Sequence, residues 1–217
     1  VSLRKARIIG GQALSRRAKP KIYSWHAPEV ECIGKGKARA PYEFGCKATI
    51  TTTNGRAKGG MFILHADALH GNPFDGHTLG EALKQTTALT GVTPKRAHVD
   101  KGYRGHKQKL KTPDPASGLP TRPSWRVSIS GRNALKPSLK AELKRRSAIE
   151  PVIGHMKADH RMGINHLKGR SGDRFNVKMA AIGFNFRRIL KWLEALVLWW
   201  IVWMWANTVG SRKIAVC

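Results

Sequence analysis

The stretch from Tyr42 to Ile50 constrains the fold of this chain more than any other. Tyr42, Phe44, Cys46, Ala48 and Ile50 alternate with Glu43, Gly45, Lys47 and Thr49. A period of two sends the two sets to opposite faces, as a half-buried strand requires. Threonines continue the run, Asn54-Gly55 is a turn signal, and Gly59-Gly60 leads into a second strand, Met61 to His65. A hairpin here commits the chain to a sheet, and a sheet must be covered on its apolar face.

The segments that follow supply the cover. Gly71-Asn72-Pro73 breaks the chain, and Thr78 to Leu89 then carries Leu79, Ala82, Leu83 and Thr86 at helical spacing. Arg96 to Asp100 reads as a short strand ending at an acid. Residues 111–124 are Pro-rich and loop-like, and Arg126 to Ser130 is a further short strand closed by Gly131. Residues 138–160 read as one helix, with Leu139, Leu143, Ile149, Val152, Ile153 and Met156 as its apolar stripe. A last helix runs from about Phe175 into a Trp-rich C-terminus. The order is strand, strand, helix, strand, loop, strand, helix. By architectural analogy it is an α/β fold with the ribonuclease-H-like order, a mixed sheet with flanking helices, minus the first strand.

Charge narrows the partners. Lys and Arg number 40 against 13 Asp and Glu, a formal net charge of +27. Such a field draws polyanions to the surface. Nucleic acid is the first expectation, and a structural RNA-binding protein of ribosomal type is one form of it. Basic residues crowd the first 21 positions, which read as a mobile or partly helical arm. A Gly/Lys-rich stretch follows at 34–39. The three cysteines, Cys32, Cys46 and Cys217, form no C-x-x-C pair. That pattern indicates neither a zinc ribbon, a redox motif nor a disulfide framework, and it fits a reducing, cytoplasmic setting. His98, His106, His155 and His160 could suggest a zinc site with Glu150 or Asp159, but their spacing matches no standard zinc-enzyme pattern.

Three ordered segments carry the chemistry: HAPEVECIGKGKARAPYEFGCK at 26–47, HVDKGYRGH at 98–106, and RRSAIEPVIGHMKADHRMG at 145–163. Together, from about Lys21 to Leu190, they resemble the DDE transposases of bacterial insertion sequences. The relevant subgroup has a Tyr-Arg-Glu-Lys signature with two, three and six residues between successive members. Arg146, Glu150 and Lys157 match the last three positions, and Leu143 stands where the Tyr belongs. The resemblance implies that Asp100 and Glu150 are the second and third acids of a metal site for Mg²⁺ or Mn²⁺. It also implies that Lys101, Tyr103, Arg104, Arg146 and Lys157 contact DNA.

The chemistry is consistent with that assignment. Phosphoryl transfer on DNA uses carboxylates to hold divalent cations at the attacking and leaving oxygens. On a continuous helix Arg146, Glu150 and Lys157 would fall within roughly 40° of one another. Local sequence also allows other roles. Ser147-x-x-Glu150 is a capping box and Pro151 suits a first helical turn, while Asp100 is a plausible turn acid before Gly102.

A DDE site needs a further Asp on a strand before the hairpin, and no aspartate precedes Asp67. Asp67 follows the second hairpin strand as read here. Asp75 is expected to cap the following helix. Glu29 and Glu31 belong to a different matched segment. The expectation is therefore a truncated, inactive piece of a transposase, consistent with its start at Val1, with a DNA-binding remnant as the alternative. The intact enzyme would act as a homodimer on double-stranded element ends and target DNA. The sequence divides into a basic arm at 1–40, a partial catalytic core at 41–190 and a tail at 191–217. Ala195 to Ala206 carries four tryptophans but falls short of the ~20 apolar residues of a spanning helix, so no membrane partner is expected: a packed helix comes first, an exposed sticky or dimerising helix second and membrane contact last.

Overall fold

The computed structural model describes residues 2–15, 17, 19–36, 38–55, 60–106, 126–129 and 137–210. The Pro-rich segment at 111–124, the end of the strand at Ser130-Gly131, and the tail after Gly210 lie outside the described residues. The chain is a mixed α/β structure. In order it forms α1 (Ser2–Leu14), β1 (Glu31–Gly34), β2 (Tyr42–Gly45), β3 (Lys47–Thr52), β4 (Ile63–Leu69), α2 (Asp75–Thr90), β5 (Arg96–Val99), β6 (Arg126–Ile129), α3 (Pro137–Arg146), α4 (Ile149–Ala158) and α5 (Gly169–Gly210).

The described strands pair two by two: β1 with β2 and β3 with β4 antiparallel, and β5 with β6 parallel. The alternating run at 42–50 is therefore two strands and not one. β2 ends at Gly45, at φ 153°, Cys46 separates it from β3, and the two halves take different partners. The hairpin itself forms with Lys47 opposite Leu69 and a register shift at Thr51/Thr52. Its second strand runs to Leu69, so Asp67 sits inside β4 and not after it. The basic arm is helical over Ser2–Leu14.

The helix expected at 138–160 is two helices. Proline clashes with the carbonyl four residues earlier. For Pro151 that carbonyl belongs to Ser147, where the helix breaks. Within α4 Pro151 falls in the first turn, where its missing N–H costs nothing. The capping box is not made: no side chain caps α4, and the Glu150 N–H takes the Ser147 backbone oxygen at 3.2 Å. Asp75 is likewise not an N-cap. It is the first residue of α2, behind Phe74, where its charge suits the helix dipole. At the other end of α2, Gly91 adopts φ 67° and its N–H closes on Thr87 O at 2.9 Å.

Two apolar clusters hold the body together. In one, α5 contributes Val177, Ala180, Ala181 and Phe184, a single helical stripe, against Ile63, Ala66 and Ala68 of β4 and Val152 and Met156 of α4. Met156 is wholly buried. In the other, Leu79 and Leu83 of α2 pack on Val99, with Tyr103, Val127 and Ile129 around them. The second half of α5 differs. From Leu190 to Trp205 its large apolar side chains are exposed on every face, and Gly169–Thr208 is long and apolar enough to cross a membrane by length and composition.

Candidate functional site

A cavity of about 470 Å³ opens between the two clusters. Residues 48–54 line it consecutively on one side and residues 96–100 on the other. Successive strand residues point to opposite faces. Only a strand's edge touches a cavity through an unbroken run, so β3 and β5 turn their edges toward each other across it. Leu79, Leu83 and Thr86 of α2 also line it, and Arg146, Ile149, Glu150 and Ile153 from α3 and α4 complete the wall.

Asp100 and Glu150, fifty residues apart in sequence, thus share one cavity with Arg146 and Tyr103. Among the described residues on that wall, these are the two carboxylates. Asp100 leaves β5 in an extended conformation, and its Oδ1 accepts the Lys101 N–H at 2.7 Å while lying 3.8 Å from Arg146 Nη2. Asp100 is exposed and Arg146 half-buried. Tyr103 packs into the α2 cluster. Burial pushes its phenol above the ordinary value, the Asp75 carboxylate pushes the same way, and hydrogen bonds to Thr78 and Thr49 oppose them. Lys101, Arg104 and Lys157 are exposed and stand outside the cavity wall.

Several residues that position the site carried no local signal. Glu142 of α3 takes Arg96 Nη1 at 2.9 Å and His98 Nε2 at 3.0 Å, tying α3 to β5. The carboxylate only accepts, so the neutral His98 ring donates from Nε2. Burial lowers the His98 pKa, against the pull of Glu142. Asn54 at the hairpin turn donates to the Glu142 carbonyl at 3.1 Å, and Arg145 Nε donates back to Asn54 O at 3.3 Å. Asp75 pairs with Lys47 at 2.7 Å, and its Oδ2 lies 2.6 Å from where a Cβ on Gly102 would be. Any side chain at 102 would collide with that carboxylate.

The other candidate acids are engaged elsewhere. Asp67 faces Arg174 and Lys178, each at 4.0 Å. Glu29 accepts from Gly169 N, and Glu31 from Gly71 N. None of the three lines the cavity. The two carboxylates on this wall are of the ligand type that hard divalent cations take. They do not fit a two-ion centre, which needs a further bridging acid. None of the family models, curated proteins or solved structures compared with the chain matches it significantly.

Proposed function

We propose that this chain carries two-thirds of the acid set of a DNA transposase of the insertion-sequence DDE type, and that by itself it binds DNA without cutting it. One observation carries the reading. Two carboxylates fifty residues apart, Asp100 and Glu150, line one cavity together with Arg146, which lies 3.8 Å from Asp100, in a chain whose formal net charge is +27. Arg146 would hold a DNA phosphate against a divalent ion kept by the two acids. Mg²⁺ or Mn²⁺ would there polarise the phosphoryl oxygen.

The finer fold reading follows from the facing edges of β3 and β5. A strand running between them would join two pairs of strands into a ribonuclease-H-like mixed sheet. An acid on that strand would complete the set, and the intact assembly would act as a dimer on paired DNA ends.

The test is a Mn²⁺ titration followed by electron paramagnetic resonance, with a short DNA duplex present. We expect one weak Mn²⁺ site per chain, lost in Asp100→Asn and in Glu150→Gln. Plasmid DNA incubated with Mg²⁺ or Mn²⁺ should stay uncut. Robust cleavage that disappears in Asp100→Ala would refute the inactivity and point to a substitute acid, Asp75 first. Nucleic-acid binding with no metal dependence and no response to either acid would refute the transposase reading and leave a structural RNA-binding protein.

A further inference from the structure

A second constellation of ligand-type side chains lies at the far end of the β3–β4 hairpin, away from the cavity. The register that sets Lys47 opposite Leu69 makes Cys46 and His70 the next facing positions. The first turns of α5 bring Asp173 to the same point. One donor atom each from Cys46, His70 and Asp173 lie within 4.8 Å of one another. His70 Nε2 is 3.0 Å from Asp173 Oδ2, and both side chains are largely shielded, 6% and 17% exposed. Asn165 Nδ2 donates to Asp173 Oδ1 at 2.8 Å and so fixes the carboxylate's orientation.

Two further atoms bear on what this cluster holds. His70 Nδ1 and Glu31 Oε2 are buried with no hydrogen-bond partner among the described residues. Buried polar atoms are seldom left so, because each forgoes its hydration. Glu31 is also close enough to act on the Cys46 thiol. That thiol is pushed up to about 11, first by burial and then by the negative charges of Asp173 and Glu31, which outweigh Arg170. Acidic groups, an imidazole and a thiol thus share a shielded spot that a cation would relieve.

We propose that Cys46, His70 and Asp173 form a binding site for Zn²⁺, with Glu31 as a flanking carboxylate and Asn165 as a positioning residue. The donor set selects the metal. A thiolate and an imidazole suit Zn²⁺ and are poor ligands for Mg²⁺. Three protein ligands leave a fourth position for water. On binding, the Cys46 S–H bond breaks, the S–Zn bond forms, and the proton passes to solvent.

Chelator-stripped full-length chain titrated with Co²⁺ tests this directly. Wild type should take up one equivalent with intense tetrahedral d–d bands and a thiolate-to-cobalt charge-transfer band, both displaced by Zn²⁺. Cys46→Ser should abolish the charge-transfer band, Asp173→Asn should weaken binding by tenfold or more, and Asn165→Ala by about tenfold. Cys32→Ser and the double variant Asp100→Asn, Glu150→Gln should leave the band intact. No thiolate band in wild type would overturn the proposal whether or not any variant folds. A band that survives Cys46→Ser and vanishes in Cys32→Ser would overturn it as well.

Discussion

The side-chain amide of Asn185 on α5 satisfies both backbone groups of Ile63: Nδ2 donates to the carbonyl at 2.8 Å and Oδ1 accepts the N–H at 2.9 Å. A single side chain thereby does for the start of β4 what a neighbouring strand would do. Asn185→Leu keeps the branched shape and leaves both groups unpaired. The expected cost is about 2–3 kcal/mol, since each buried unpaired group forfeits its hydration. Urea unfolding would show it as a lower midpoint at unchanged slope; an unchanged midpoint would mean water replaces the amide.

Acid should loosen the contact between α3 and β5. Burial depresses the His98 pKa although Glu142 pulls it upward, with Arg96 and Arg145 also facing the ring. The folded state therefore binds this proton less readily than the unfolded chain. The contribution to stability is complete above about pH 6.5, the ordinary histidine value, and is lost as pH falls through the lower folded value. His65, lowered chiefly by its own burial, adds to the same trend. Thermal unfolding from pH 8 to pH 5 should show falling midpoints, with a shallower fall in His98→Gln than in wild type.

Met156 links the core to the candidate site, because it is the buried anchor of the helix that carries Glu150. Met156→Ala should cost about 2–5 kcal/mol. It should also weaken Mn²⁺ binding more than a control such as Asn185→Leu, whose hydrogen bonds go to β4 and not to α4. Equal Mn²⁺ affinity in both would separate α4 packing from metal binding.

Duplex DNA affinity should be steeply salt-dependent. A protein neutralising several phosphates loses about 10³-fold or more between 50 and 200 mM salt. Arg146→Ala should reduce affinity several-fold at low salt and flatten that slope. Without metal, Asp100→Asn should strengthen binding, since it removes a negative charge from beside Arg146. Filter binding or fluorescence anisotropy across a salt series reads all three.

Removing residues 192–217 should leave the unfolding midpoint nearly unchanged. None of the apolar window in the second half of α5 is buried, and Trp199 and Trp205 are 65% and 71% exposed. Exposed side chains away from the core contribute within about 0.5 kcal/mol each. The same deletion should abolish concentration-dependent association, which an exposed apolar surface of this extent drives. Analytical ultracentrifugation at two protein concentrations would compare the chains.

The parts of this structure that were legible in the sequence are those written in local pattern. Alternation around Ala48 and Ile50 located the hairpin, and the spacing of Leu79, Ala82 and Leu83 located α2. Register and partner were not legible. Nothing around Gly45 says that Tyr42 to Gly45 pairs backward with Glu31 to Gly34. The role of Glu142 depends on Arg96 and His98, more than forty residues away, and the Cys46, His70 and Asp173 cluster spans over a hundred. Such sites are assembled by the fold, and no spacing rule along the chain announces them.

Pro151 has a consequence for any chemistry at the cavity. By breaking the chain at Ser147 it places Arg146 at the close of α3 and Glu150 in the opening turn of α4. The gap between guanidinium and carboxylate is then set by a bend of two residues and not by helical pitch. Ser147 and Ala148 form that bend as a hydrogen-bonded turn, with the Ala148 N–H on Arg145 O at 3.0 Å. Substitutions there should change the separation of Arg146 and Glu150 without altering either side chain.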